Sequence, residues 1–211
     1  MDDLTEIFAV EPQVNDTLAN LQLPDPMLLN YYKDTEKRMY FLEGDICDDT
    51  LELAKFIIRC NLIDKDLPTE KRKPIYVYIN SLGGDVQILW TVVNVMQLSK
   101  TPIYTIAYCN TMSAAAYLLV AGHKRFALPG ATILVHSGSC SFNGDVEKVE
   151  SAKKFYDGMS QKANALLLSK TTIPPKDLKR KGASDWYMTA EEALAYNMID
   201  ELVTDLDTIL P

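Results

Sequence analysis

The chain has 211 residues, of which 47% are hydrophobic and 24% charged, with a formal net charge of −8. That length suits one domain with an ample core, and the composition is ordinary for a globular protein. The acidic balance argues against a nucleic-acid partner, which needs a basic face, and no run reaches the roughly 18 apolar residues that span a bilayer.

Residues 1–30 are acidic and mixed, with Pro12, Pro24 and Pro26, and read as an arm before a domain at 31–211. The opening, MDDLTEIFAVEPQ, has neither a basic n-region nor an apolar h-region, so no secretory signal is read there. RMYFLEG at 38–44 is a short β-rich run. DDTLELAKFIIRCNLI reads as a helix, with Asp49 and Glu52 at capping-box spacing and Leu51, Ala54, Ile58 and Leu62 recurring at helical intervals. A polar loop follows at 64–73. PIYVYIN at 74–80 lacks polar alternation, which predicts a strand buried on both faces. SLGG at 81–84 turns into an apolar helix, and PIYTIAYC at 102–109 is another buried strand.

SAAAYLLVAG at 113–122 reads as a helix stopped by Gly122. KRFALPGATILVH gives two short strands around Pro129 and Gly130, ending on His136. A polar segment leads into the longest helix, about 145–169, with Val146, Val149, Phe155, Met159, Ala163 and Leu166 near helical spacing. EEALAYNMIDELV is a short helix, then Asn197 at a left-handed cap, then a last strand. The alternation of strands and helices predicts an α/β fold with a mostly parallel sheet. In such sheets the site lies at the carboxyl ends of strands, where NSLGG and NTMSAAA fall.

Cys47, Cys60, Cys109 and Cys140 form no C-x-x-C pair and have no histidine at zinc spacing, so they read as buried free thiols in a reducing cytoplasm. LGGD at 82–85 lacks the pattern of a phosphate loop. No cofactor and no metal are expected in the chain itself.

Ser113 admits two readings from its surroundings: a small residue packing a helix on a sheet, or a nucleophile at a helix N-terminus. A hydroxyl nucleophile needs a base, a group to orient that base, and backbone N–H groups aimed at the oxyanion. The chain has two histidines. His123, flanked by charge in GHKRF, reads as a solvated loop residue. His136 ends an apolar strand and could be structural or basic. Asp185, before a short apolar run, reads on its own as a capping or turn aspartate. Ala114 to Ala116 leave room for a substrate backbone, and Gly83 and Gly84 can offer a further N–H without side-chain obstruction.

These stretches, in this order, resemble the proteolytic subunits of the Clp protease, ClpP, which are self-compartmentalised serine peptidases. The resemblance runs from about 31 to 203. YVYINSLGGDV is similar to the family's YLYINSPGG, SAAAYLLVAG to SMGAFLLAAG, KRFALPGATILVH to RFALPNARIMIH, and SDWYMTAEEALAYNMID to RDRFMSAEEAKEYGLID. The resemblance implies Ser113 as nucleophile, His136 as general base, Asp185 as third member of the triad, and Gly84 and Ala114 as oxyanion-hole donors. It implies a ClpP/crotonase-like α/β fold with flanking helices and a protruding handle at about 137–169, made of the long helix and a strand before it. It also implies a homo-oligomer, a heptameric ring or a stacked tetradecamer, in the cytoplasm. The implied partners are protein or peptide substrates and a hexameric AAA+ unfoldase, such as a ClpX- or ClpC-type ATPase, which would use the ATP.

The chain departs from the family at Leu82, where proline is usual; in HSGSCSFNGD, which replaces HQPLGGFQGQ; in a longer loop at 64–73; in the amino-terminal arm; and at Trp186, where arginine is frequent. Trp186 could serve as an apolar contact between rings or pack the core beneath Asp185. Three further readings stand beside the unfoldase-fed peptidase. One is a phage protease cutting capsid or scaffold proteins without an unfoldase. Another is a crotonase-like acyl-CoA enzyme, which needs no serine nucleophile. The third is a non-catalytic ring subunit, which would be favoured by a missing triad residue.

Overall fold

The structure, a computed structural model, describes residues 25–211. Most of the expected arm therefore lies outside the described residues. From there the chain enters helix α1 (Pro26–Glu36), where the Asp25 carboxylate accepts the Met27 N–H at 2.9 Å. The body of the fold is the compact unit Asp34–Pro211.

Seven strands follow: β1 (Met39–Glu43), β2 (Ile75–Ser81), β3 (Ile103–Met112), β4 (Lys124–Ala127), β5 (Thr132–Val135), β6 (Trp186–Thr189) and β7 (Glu201–Leu202). Between them lie α2 (Leu51–Ile63), α3 (Val86–Leu98), α4 (Ala114–Ala121), α5 (Val146–Lys170), α6 (Pro175–Lys181) and α7 (Ala190–Ala195). Strands β1-β2-β3-β4-β7 form a parallel path in that order. Among the described strands only β5 and β6 pair antiparallel.

The sheet is buried on both faces, as the unbroken apolar strands require. Side chains alternate across a strand, so β2 sends Ile75, Val77 and Ile79 to one core and Tyr76 and Tyr78 to the other. The first core lies against α2, α3 and α4; all eight residues of α4 are buried. The second is covered by the carboxyl-terminal turn Leu206–Ile209, whose Ile209 carbonyl accepts the Tyr78 hydroxyl.

β3 outruns its expected end at 109. Its pairing with β2 shifts between Ile79 and Ser81, where Ser81 meets Thr111. Up to Ala107 it pairs with β4, and from Asn110 to Met112 with β5. This exchange of neighbours starts a small second layer, β3-β5-β6, on which the candidate site is built. The run at 186–189 was not read as a strand, because four residues before a helix carry little periodic signal.

Other local readings shift. The box at the entrance to α2 lies two residues earlier than Asp49 and Glu52: the Thr50 hydroxyl accepts the Cys47 N–H at 3.1 Å, while Glu52 pairs with Lys55. The implied handle strand is absent at 137–145, where Gly138 and Gly144 hold positive φ and no described strand runs alongside. α5 itself starts and ends one residue later than expected, and its buried residues are Ala163, Leu166 and Leu167 alone. Asn197 has the expected left-handed backbone, with φ 54°. Of the four cysteines, which are all free, only Cys60 is buried, and burial pushes its thiol up to about 11.

The amino ends of the strands are tied by one buried ion pair. Arg38 donates from both terminal nitrogens to Asp64 at 2.7 Å and also to the Lys73 carbonyl at 2.9 Å. The Thr101 hydroxyl completes the shell of Asp64 at 2.9 Å. The Arg38 guanidinium holds this carboxyl below its ordinary 3.8, so Asp64 binds protons more weakly folded than unfolded. Its stabilising contribution is therefore complete above that ordinary value and is lost as pH falls through the lower folded one. Arg38→Met leaves a buried, unpaired carboxylate and should cost about 3–5 kcal/mol at neutral pH. The sign then inverts: with Asp64 now easier to protonate folded than unfolded, the penalty should shrink as pH drops toward 4. Urea melts of both proteins from pH 7 to pH 4 check this.

Candidate active site

Three expected residues meet where β3, β5 and β6 end or begin. Ser113 stands between β3 and α4 with φ 53° and ψ −123°. A non-glycine residue there costs on the order of 1–3 kcal/mol and persists only when its neighbours force it. The force comes from both sides: the Ser113 N–H donates to the Leu134 carbonyl of β5 at 2.9 Å, and its own carbonyl accepts the Ala116 N–H at 3.0 Å. The hydroxyl is thereby turned to His136, the residue after β5, with Oγ 2.7 Å from Nε2. On the other side of the ring, Nδ1 lies 3.3 Å from Oδ1 of Asp185, the residue before β6. The antiparallel register that sets Val135 opposite Trp186 is what brings these two neighbours together. The Asp185 side chain is 56% exposed and the His136 side chain 27%.

The two glycines complete the floor. A Cβ on Gly83 would stand 2.6 Å from Ser113 Cβ and 3.0 Å from the Ala114 nitrogen, so only glycine leaves that space open. Gly84, at φ 147°, passes so close to Ile46 that a Cβ would meet its carbonyl oxygen at 2.3 Å. Ile46 holds this turn by donating to the Gly83 carbonyl at 2.7 Å and accepting from Asp85 at 2.8 Å. Asp85 then caps α3, accepting from Gln87 and Ile88. The backbone N–H groups of Gly84 and Ala114 have no hydrogen-bond acceptor among the described residues. Ala114 opens α4, where the helix dipole favours developing negative charge.

Beside Ser113 is a narrow cleft of about 50 Å³, whose lining includes Val86, Leu89, Tyr117, Tyr156 and Ala163. Burial pushes the Tyr117 hydroxyl up to about 12, so it stays neutral at physiological pH. Tyr156 was missed in the sequence because its neighbour Phe155 fitted the apolar stripe; Phe155 is 57% exposed and Tyr156 turns to the cleft. A larger cavity of about 320 Å³ continues past His136 along Leu168, Leu178 and Lys179. Among the described residues no group of three His, Cys, Asp or Glu side chains is placed to hold a metal. His123 stays apart from the site, its Nδ1 accepting the Ile103 N–H at 3.1 Å. Trp186 is buried in its own chain, edge-on to Tyr196 with ring centroids 5.2 Å apart, so it supports β6 from below.

The fold and the site together define the class: a mostly parallel α/β subunit with a serine, a histidine and an aspartate in contact at strand ends. The Clp protease family pattern matches residues 9–205, and the chain belongs to that family. Its fold is accordingly the Clp type, and it is a Clp-type peptidase. The chain is similar to the ATP-dependent Clp protease proteolytic subunit 2 of Treponema pallidum, at 31% identity over 82% of this chain and 85% of that protein. It is 29% identical to the protein of the same name from Treponema denticola, over 90% of this chain and 92% of that one.

The Ile46 contact makes a specific demand on the floor. Gly84→Ala should lower stability by at least about 1–3 kcal/mol through backbone strain alone, with the clash adding to it. The same change at Gly130, around which a Cβ meets nothing within 4 Å, should be close to neutral. Thermal melts of the two variants make the comparison.

Proposed function

We propose that this chain is a serine endopeptidase that cleaves unfolded proteins inside a chamber built from copies of itself. Ser113 is the nucleophile. His136 takes the Ser113 proton through Nε2 and later delivers it to the leaving amine. Asp185 holds Nδ1–H and balances the imidazolium that forms. The Gly84 and Ala114 N–H groups stabilise the oxyanion of the tetrahedral intermediate, and their lack of any other acceptor supports that role. The observation that carries the reading is the Ser113–His136 contact of 2.7 Å, made by a serine in a backbone conformation that a purely structural residue would not need.

The Val86, Leu89 and Ala163 side chains in the cleft beside Ser113 favour an apolar side chain at the residue whose carbonyl is attacked. The water that resolves the acyl-enzyme uses the same base, so no cofactor of the chain's own is required. The assembly is a homo-oligomer whose rings meet through α5. Supporting this, α5 keeps Val146 74% and Phe155 57% exposed at the end that the single chain leaves uncovered. The relatives are named as ATP-dependent subunits, and the ATP is used by a partner AAA+ unfoldase of the Clp type that threads substrate inward.

A fluorophosphonate should label Ser113 and no other serine. Ser113→Ala should lower peptide cleavage by at least about 10³-fold while leaving the oligomer intact, as loss of a nucleophile does where three groups act as a unit. Labelling elsewhere, or an active alanine variant, sinks the assignment. The purified chain alone should cut short peptides and spare a stable folded protein until a Clp-type ATPase and ATP are added. Rapid digestion of the folded protein without them would contradict the chamber, and digestion of neither with any such ATPase would contradict the unfoldase partnership.

A further inference from the structure

Asp185 is weakly held by its own side chain. Its carboxylate is more than half exposed, and His136, at 3.3 Å, is its one polar partner among the described residues. With a side chain of two torsions, its place is set by the backbone of 181–186. That backbone is fastened at several points. The Ser184 N–H donates to the Lys181 carbonyl at 3.3 Å, closing a turn. The Gly182 carbonyl accepts both the N–H and the hydroxyl of Ser137, at 2.7 and 2.6 Å. Ser137 is the residue after His136, so the turn that carries Asp185 also grips the strand end that carries the histidine.

The remaining anchor is Lys181. Its ammonium sits 4.4 Å from the centroid of the Trp186 ring and 5.3 Å from that of Tyr196. It donates to the Tyr196 hydroxyl at 3.1 Å. A cation over the Trp186 ring, with one hydrogen bond to the Tyr196 hydroxyl, is a defined seat for a residue that is otherwise a surface lysine. It draws the last residue of α6 onto the first residue of β6 and onto the end of α7, across the four-residue connection that contains Asp185.

Resting on the peptidase reading above, we propose that Lys181 is a positioning residue: its seat on Trp186 and Tyr196 sets the 181–186 turn and so the His136–Asp185 contact. Besides Asp185, the titratable groups that line the cavities around His136 are Tyr117 from α4, Tyr156 from α5 and Lys179 from α6. None of them holds the turn.

The test is a cycle of variants assayed as the full-length oligomer on a short fluorogenic peptide: Lys181→Met, Asp185→Asn and the double variant. Lys181→Met keeps the length and apolar stem but loses the charge. It should lower kcat on the order of tenfold with KM little changed, since small misplacements of a catalytic group cost that much or more. Lys181→Arg, which keeps the cation over Trp186 and a donor to the Tyr196 hydroxyl, should restore most of the rate. In the Asp185→Asn background, Lys181→Met should cost almost nothing further, because the group it positions is already disabled. Equal losses in both backgrounds, or a rate in Lys181→Met equal to wild type, would overturn the proposal. Equal losses accompanied by a lowered melting temperature would identify Lys181 as a general stabiliser only, which also overturns it. Failure of the parent reading looks different: Ser113→Ala would remain active, or Asp185→Asn would cost nothing.

Discussion

The hydrogen bond from the Ser113 N–H to the Leu134 carbonyl is the constraint on which the site depends. It exists because β3 leaves β4 after Ala107 and takes β5 as its neighbour instead. Were β3 to end with β4, the serine would enter α4 with ordinary helical geometry and its hydroxyl would point back along the strand. The bond to β5 instead fixes a positive φ at a residue with a Cβ, and the strain is sustained by the buried α4 behind it. The same strand β5 ends at Val135, and His136 is the next residue. One exchange of strand partners thus sets both the proposed nucleophile and its base.

The two glycines and Ile46 answer a complementary requirement. A site for backbone N–H donors must be close to the reacting serine yet free of side chains, and it must not be used up by the sheet. Gly83 meets the first demand by leaving the volume above Ser113 empty. The isolated bridge between Ile46 and Gly84 meets the second. It engages the Gly83 carbonyl and the Asp85 N–H and leaves the intervening Gly84 N–H unpaired.

Much of this was legible in the residues because the signals are local. Unbroken apolar runs identify β2 and β3 as strands buried on both faces, and α4, apolar all round, could only be a core helix. Ser113, His136, Asp185, Gly84 and Ala114 were picked out by their positions at the edges of such runs and by the resemblance that orders them. What was not legible depends on pairing between distant segments. The strand β6 is four residues long and acquires its conformation from β5, and the absent handle strand has no partner within the described chain. Lys181 and Tyr156 gave no sign, since a lysine in KRKG and a tyrosine after phenylalanine acquire meaning only from what folds against them. The cysteines were misjudged for the same reason: thiol burial depends on which face of a helix or turn packs inward, and only Cys60 lies on the inner face of α2.

The carboxyl-terminal turn bears on how a newly made chain reaches this fold. The tyrosine layer on the outer side of β2 is roofed by Leu206–Ile209, and β7 completes the parallel path. Both follow the other strands in chain order and so leave the ribosome after them. Until then Tyr76, Tyr78 and Phe126 form an uncovered aromatic surface, and closing it joins segments separated by 131 positions, as the Tyr78–Ile209 bond illustrates. Contacts of such sequence separation are slow to form. A subunit interrupted during synthesis would therefore hold a nearly finished inner core beneath an open outer face, a state prone to cling to other chains before it could enter a ring.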